Sequence, residues 1–387
     1  MEFHYISPSV LPSRSANSVH VVRQCEGLVK SGVDLTLYAK RSVADKSLLN
    51  DTLLDAYGVD LSVCNLVTYY SHFSLAENLC IASIAATKLV KRTWPLAVMS
   101  RNLYASYILG VLRRRPLLFE THYLEQGRRK QLQKAIMTCP WVTTVVISEQ
   151  LDLFLSKHHG VKPSNVLVLH DAAPDGIQPV SSGERRAELE RLVVSVGGNW
   201  QAVCGYFGHL YPGRGIEIIE SMAAARPNVL FIVFGGNQSD VNARIESNSY
   251  NNLRFLGHVP HEFAQSAMRV MDVLLMPYQD VVSLGVKGVD TARWMSPMKM
   301  FEYLASGVPV ISSDLLVLRE VLKDGENALL VPASDSAAWV NALDKLIKNS
   351  ELSERIGGRG HEDYRNYYTW SKRATSILKA MSELNKM

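Results

Sequence analysis

The stretch Ser296–Asp314, SPMKMFEYLASGVPVISSD, decides how this chain folds. A short polar turn ending at Pro297 predicts the start of a helix, an acid follows one turn in at Glu302, and Gly307-Val308-Pro309 breaks the helix into an apolar strand, Val308 to Ile311. A helix start presents backbone N–H groups with no intrahelical acceptor, so amides beside one carboxylate suit a phosphate next to a diol. The plain alternative is that the macrodipole favours an acid near a helix start whether or not anything binds there.

Outward from this stretch, the same alternation of apolar runs and helical patterns fills the rest of the second half. Val203 to Phe207, Val229 to Gly235, Leu253 to Leu256, Val273 to Met276 and Leu329 to Val331 read as strands, with helices over Ile216 to Ala224 and Ala337 to Ile347. Strands that are apolar throughout belong to a parallel sheet covered on both faces. The first half repeats the pattern with Phe3 to Ile6, Leu35 to Tyr38, Leu96 to Met99, Leu117 to Phe119, Val142 to Ile147 and Val166 to Leu169. The expected fold class is therefore α/β, with two doubly wound, Rossmann-like domains facing across a cleft. Residues 1–175 form the first, a polar stretch over 176–201 reads as a linker, and 202–369 form the second. A final amphipathic helix, about 370–387, carries Ala374, Ile377, Leu378 and Met381 at helical spacing and is expected to pack back on the first domain. Ligands bind open α/β sheets beyond the carboxyl ends of the strands, so functional motifs should follow strands.

Composition bounds the function. A chain of 387 residues, 47% hydrophobic and 20% charged, has the size of two α/β domains. Its five cysteines are scattered, without the close pairs that hold zinc or run thiol chemistry. No apolar run approaches the roughly 20 residues that span a bilayer, and the amino terminus lacks a basic-then-apolar signal pattern, so the expected location is the cytoplasm. The net charge of +4 is concentrated in the first half, where Arg113-Arg114-Arg115 and Arg128-Arg129-Lys130 with Lys134 form two basic clusters. A solvated face accounts for such clusters as well as an anionic partner does. If there is a partner, an anionic membrane surface fits better than nucleic acid, because no aromatic residues interleave with the basic ones.

After the first strand of the second half comes Gly205-Tyr206-Phe207-Gly208-His209-Leu210-Tyr211-Pro212-Gly213-Arg214-Gly215-Ile216-Glu217. A glycine-bearing turn lets backbone approach an anion, and Arg214 can fork onto phosphate oxygens. Alone, a tight turn with a solvated arginine explains the same residues. The clamp gains weight from order, since it precedes the carboxylate at Glu302 within one domain.

These residues resemble the family-4 retaining glycosyltransferases of the GT-B fold. The likeness covers nearly all of the second domain, through Phe207 to Gly215, Phe234-Gly235-Gly236, Phe255 to Pro260, Met276-Pro277-Tyr278, Ser296 to Asp314 and Asp324 to Ala328. It is looser in the first, through Ser15 to His20, Ser100-Arg101-Asn102, Phe119 to His122 and Val146-Ile147-Ser148. The resemblance implies that Gly208, His209 and Arg214 border the donor diphosphate, that Pro297, Met298 and Lys299 offer backbone amides to the distal phosphate, and that Glu302 holds the ribose. Val259 would lie by the base and His122 by the transferred sugar, although a lone histidine after a strand is otherwise more often a core residue. Two departures stand out. Trp294 occupies the position, eight before Glu302, where many members carry a second glutamate, and Ser15, Asn17 and Ser18 replace the usual glycine pair of the first-domain loop.

The implied activity is retaining transfer of a hexosyl group from a nucleotide diphosphate sugar to an acceptor hydroxyl, in cell-surface polysaccharide or glycolipid synthesis. The implied partners are that donor, a glycan or lipid-linked acceptor and an anionic membrane at the inner face of the cytoplasmic membrane. No cofactor or metal is expected, since no Asp-x-Asp sequence is present to bind a nucleotide-held divalent ion. The alternatives are a catalytically silent nucleotide-sugar-binding subunit, with Trp294 marking a lost sugar contact, or a GT-B epimerase or glucan synthase.

Overall fold

A computed structural model describes residues 1–13, 15–72, 76–93, 96–193, 197–282 and 290–386. The chain divides into two compact units, one of Met1–Asp171 with Trp370–Met387 and one of Ala172–Thr369.

Among the described residues, seven strands form the sheet of the first unit: β1 (Glu2–Leu11), β2 (Asp34–Arg41), β3 (Asn65–Tyr70), β4 (Ala97–Ser100), β5 (Leu117–Thr121), β6 (Val142–Val146) and β7 (Asn165–Val168). Their order is β3-β2-β1-β4-β5-β6-β7, with parallel pairing throughout. Phe3 and Tyr5 of β1 point into an apolar core with Val21, Val22, Ile377 and Met381, from the helices Ala16–Lys30 and Trp370–Leu384. Ile6 points into a second core with Ile81 and Ala85 of the helix Glu77–Val90. Burial on both faces makes these strands near-continuous apolar runs. The order reverses between β1 and β4, which opens a crevice at their carboxyl ends.

The second unit holds β8 (Ala202–Phe207), β9 (Val229–Phe234), β10 (Leu253–Gly257), β11 (Val273–Met276), β12 (Val310–Ser313) and β13 (Leu329–Val331). Their order, β10-β9-β8-β11-β12-β13, is again parallel and reverses between β8 and β11. The turn after β8 and the chain leaving β11 therefore flank the second crevice.

Three features differ from the sequence expectation. Strand β3 goes unnoticed in the sequence because it is a half-buried edge strand ending in Thr68-Tyr69-Tyr70, without a fully apolar run. The stretch 176–201, expected to be a linker, contains the helix Ser182–Leu192, whose Leu189 is buried in the core of the second unit. The helix Ser350–Tyr367 was also not anticipated: it is dominated by polar residues, and it approaches the helix Met298–Ser306 through glycines rather than an apolar stripe. The final helix, Trp370–Leu384, lies in the first unit against Ala16–Lys30; a Cβ on Gly27 would fall 2.5 Å from the Trp370 carbonyl oxygen.

Candidate active site

In the second unit the turn after β8 is shaped by close backbone approach. Gly213 and Gly215 have φ of 85° and 79°, and a Cβ on them would fall 1.9 Å from the Val281 carbonyl oxygen and 1.8 Å from that of Pro277. Glycine is required at both, sterically and conformationally. The turn thereby seats Arg214 against the chain leaving β11, where Nη1 donates to the Tyr278 hydroxyl at 3.1 Å and the guanidinium lies 5.2 Å from the centre of that ring.

The helix Met298–Ser306 is tied to the same strand end, because the Phe207 N–H donates to the Tyr303 hydroxyl at 2.8 Å. Pro297 is its N-cap and provides no side-chain cap, so first-turn amides at Met298 and Lys299 look to an outside acceptor. The Lys299 ammonium sits 4.1 Å from the centre of the Tyr206 ring and 4.6 Å from that of Tyr278. Burial, and then the Arg214 guanidinium, hold its pKa well below the ordinary value. The structure thus brings together Gly208, Arg214, Pro297, Met298 and Lys299 at one sheet edge.

Glu302 is half-buried and its Oε1 accepts from His261 Nε2 at 2.7 Å. A carboxylate oxygen has two lone pairs, so this contact is compatible with a further hydroxyl donor. His209 is stacked on Tyr211, with ring centres 4.8 Å apart, and desolvation followed by the charges of Arg214 and Lys299 lowers its pKa. Val259 follows β10 and packs against the core of the unit.

In the first unit the crevice holds a buried ionic network centred on Glu120, at the end of β5. Its Oε1 lies 2.5 Å from Arg373 Nη2, 3.2 Å from His20 Nε2 and 3.3 Å from His122 Nε2, while Oε2 accepts from the Tyr5 hydroxyl at 3.2 Å and lies 3.6 Å from Arg101 Nε. His20 Nδ1 is 2.8 Å from Asp171. Burial opposes the Glu120 charge, but Arg373, His20 and Arg101 together keep its pKa well below the usual range.

His122 belongs to this network. Arg101 Nη2 donates to its Nδ1 at 3.1 Å, which places the ring proton on Nε2, toward Glu120. Burial and Arg101 lower its pKa to about 4, so the ring is neutral near neutral pH. With both nitrogens engaged, it is poorly placed to act as a free base. The same side chains border a cavity of about 260 Å³, shared by Asn17, Asn78, Arg101, Glu120, His122 and Arg129.

His20, Glu120 and His122 also have ligand atoms close enough to surround a cation, within 4.8 Å of one another. Two guanidiniums already occupy the carboxylate, however, and the donor set is that of an ion-pair network rather than a metal centre.

The loop after β1 uses its polar atoms internally. Ser15 caps the helix Ala16–Lys30 by accepting from the Ser18 N–H; the Ser18 hydroxyl donates to the Val10 carbonyl at 2.9 Å; Asn17 donates to Ser9 at 2.8 Å and accepts from Arg101. The side chains that stand in place of the usual glycine pair are thus engaged in holding the turn.

Sequence reasoning assigned no role to Glu120, Arg101, His20, Asp171 or Arg373. Glu120 and Arg373 are 253 residues apart, and no local pattern links them. It also read Lys299 for its amide alone and missed the tyrosine pair beneath its side chain.

Residues 201–349 match the family model for glycosyl transferases group 1. A phosphatidyl-myo-inositol mannosyltransferase of Mycobacterium leprae is 36% identical over 150 residues, 39% of this chain and 36% of that protein. A D-inositol 3-phosphate glycosyltransferase of Corynebacterium efficiens is 25% identical over 237 residues, 55% of this chain and 52% of that protein. The matches thus span about a third to a half of the length of these curated relatives. Among solved structures, Anabaena HepE in complex with UDP aligns with a TM-score of 0.72 at 15% identity, over 99% of this chain and 100% of that one. Sucrose-phosphate synthase from Thermosynechococcus elongatus aligns with a TM-score of 0.73 at 18% identity, over 99% of each chain. At these identities the structural matches establish the fold, two Rossmann-like units of the GT-B type.

Proposed function

We propose, from a chain whose residues 201–349 match the family model for glycosyl transferases group 1, that this protein moves a hexosyl group from a nucleotide diphosphate sugar to an acceptor hydroxyl in glycolipid or cell-surface polysaccharide synthesis. The observation that carries the reading is the meeting of Arg214, uncapped helix-start amides and the Glu302 carboxylate at one sheet edge. Cleavage of the glycosidic bond builds negative charge on the departing phosphate, and a fixed guanidinium and oriented amides stabilise charge developing there. Glu302 would accept from the ribose hydroxyls.

Transfer with retention and without a metal ion is part of the same proposal. Among the described residues of the second unit no carboxylate is singled out as a double-displacement nucleophile, and neutral His122 would orient hydroxyls rather than remove a proton. The relatives named above act, by their names, on inositol-containing acceptors, and a polyol-bearing lipid or its phosphate is the acceptor class to try first.

The test offers UDP-, GDP- and ADP-sugars and follows nucleotide release with and without lipid-linked acceptors. Arg214→Ala is expected to lower kcat/KM at least about a hundredfold, the loss typical of one charge-stabilising donor, and Glu302→Ala to lower it at least about tenfold through the lost charge-assisted bonds to the ribose hydroxyls. Full turnover by both variants would remove the site assignment. Binding without release under every acceptor condition would favour the silent subunit, and release without any acceptor would point to another reaction.

Peripheral association with an anionic membrane completes the proposal. Among the described residues no helix is long and apolar enough to cross a membrane, and Arg113, Arg114, Arg128 and Arg129 are exposed on the first unit. Co-sedimentation with vesicles containing acidic lipid is expected, and charge reversal at both clusters should abolish it. Unchanged sedimentation of the reversed protein would refute membrane docking by these residues.

A further inference from the structure

Two cations converge where the turn after β8 meets the helix Met298–Ser306. We propose that the Lys299 side chain, rather than His209, is the second cation of this anion site, so that Lys299 and Arg214 grip a nucleotide diphosphate from two separate elements. The inference rests on the donor reading above and adds a residue to it.

Position is the first argument. The ammonium lies over two tyrosine rings, 4.1 Å from Tyr206 and 4.6 Å from Tyr278, and Arg214 lies 5.2 Å from the same Tyr278 ring. Both rings are fixed: the Tyr206 hydroxyl donates to the His209 carbonyl at 2.7 Å, and the Tyr278 hydroxyl accepts from Arg214. The rings are attractive to cations on their faces, and they carry no charge that would neutralise one. Lys299 is thus held beside the turn.

Space is the second. A Cβ on Gly208 would lie 3.2 Å from the Lys299 ammonium, so the bare backbone at Gly208 leaves that position open. Charge balance is the third. Glu302 attracts the ammonium electrostatically, but its close contact is with His261, and among the described residues no carboxylate comes within ion-pair distance of Lys299. Two cations brought to one turn favour an anion between them.

His209 lacks these properties. It is exposed, stacked on Tyr211, and its lowered pKa leaves it neutral near neutral pH, so it brings no fixed charge. For Lys299 the lowered pKa has the opposite use, because a bound dianion favours the ammonium and draws a proton onto it.

Calorimetric titration of the full chain decides the matter. The ligands are UDP, GDP and ADP, the monophosphate of whichever base binds best, and inorganic pyrophosphate. Lys299→Met should weaken diphosphate and pyrophosphate binding by about tenfold or more, the worth of a charge-assisted contact, while changing monophosphate binding by less than about threefold. Lys299→Arg should recover most of the loss, and His209→Gln should stay within about threefold of the parent. Any proton uptake on diphosphate binding, read from titrations in two buffers, should be smaller in Lys299→Met. Parent-like diphosphate affinity in Lys299→Met overturns the inference, as does an equal loss for mono- and diphosphate, which would mark a purely structural lysine. Failure of the unaltered chain to bind any diphosphate overturns the donor reading itself and this inference with it.

Discussion

At the scale of single residues, the first unit is governed by how Glu120 is kept ionised inside the protein. A buried carboxylate is costly unless paired, and removing one partner of a buried pair typically costs about 3–5 kcal/mol. Arg373, Arg101 and His20 meet that requirement, and His122 is drawn in as a neutral member. A pH prediction follows from its depressed pKa. The folded chain protonates His122 only near pH 4, whereas an unfolded histidine takes up its proton near 6.5. Between those values the unfolded state holds the extra proton, so stability should fall as pH drops from about 6.5 to about 4, by at most about 3 kcal/mol from this group. Glu120 and Asp171, also depressed, add their losses below the ordinary carboxylate range. Denaturant melts at half-unit pH steps should show a shallower slope above pH 4.5 for His122→Gln than for the parent. Parallel slopes would place the acid sensitivity elsewhere.

At the scale of elements, legibility follows burial. Buried parallel strands such as Val203–Phe207, Val229–Gly235 and Val273–Met276 stood out as apolar runs and were found at β8, β9 and β11 within a residue or two. Edge strand β3 and the helix Ser350–Tyr367 did not, because neither is defined by an apolar run. That helix is fitted by shape: Gly357 lies so close that a Cβ would be 2.3 Å from the Gly307 carbonyl oxygen, and His361 Nδ1 donates to the Ala305 carbonyl at 2.9 Å. Both contacts fix the carboxyl end of the helix bearing Lys299 and Glu302. Asn327, read in the sequence as a family landmark, in turn anchors the helix Ser350–Tyr367 from its buried position, donating to Asp363 at 2.8 Å and to the Val321 carbonyl at 3.1 Å. The turn after β8 was legible because glycine spacing records a backbone conformation. The tyrosine pair under Lys299 was not, since Tyr206 and Tyr278 read equally well as core.

At the scale of the whole molecule, the chain leaves the first unit at Asp171 and returns to it at Trp370, and this return is the feature least visible in local sequence. Amphipathic spacing announces a helix after Trp370 but does not say that Arg373 will reach Glu120 and the carbonyl of His170. The final helix brings Trp370, Ala374, Ile377 and Met381 into the first unit's interior, each almost wholly buried. Burying side chains as large as Trp370, Ile377 and Met381 is worth about 1.5–3 kcal/mol apiece, comparable in sum with the stability of an ordinary domain. The second unit has its own cores, around Phe207, Phe234 and Tyr303 and around Phe231 and Trp339, and neither includes a residue of that helix. A chain ending at Thr369 should therefore lose the cooperative unfolding of the first unit and expose Glu120, while the second unit still melts as a unit and still binds a nucleoside diphosphate through Arg214 and Lys299. Scanning calorimetry and nucleotide titration of the shortened chain check both halves of this expectation. Retention of the first unit's transition would show that the helix merely covers an independently stable sheet, and loss of nucleotide binding would show that the second unit depends on the first.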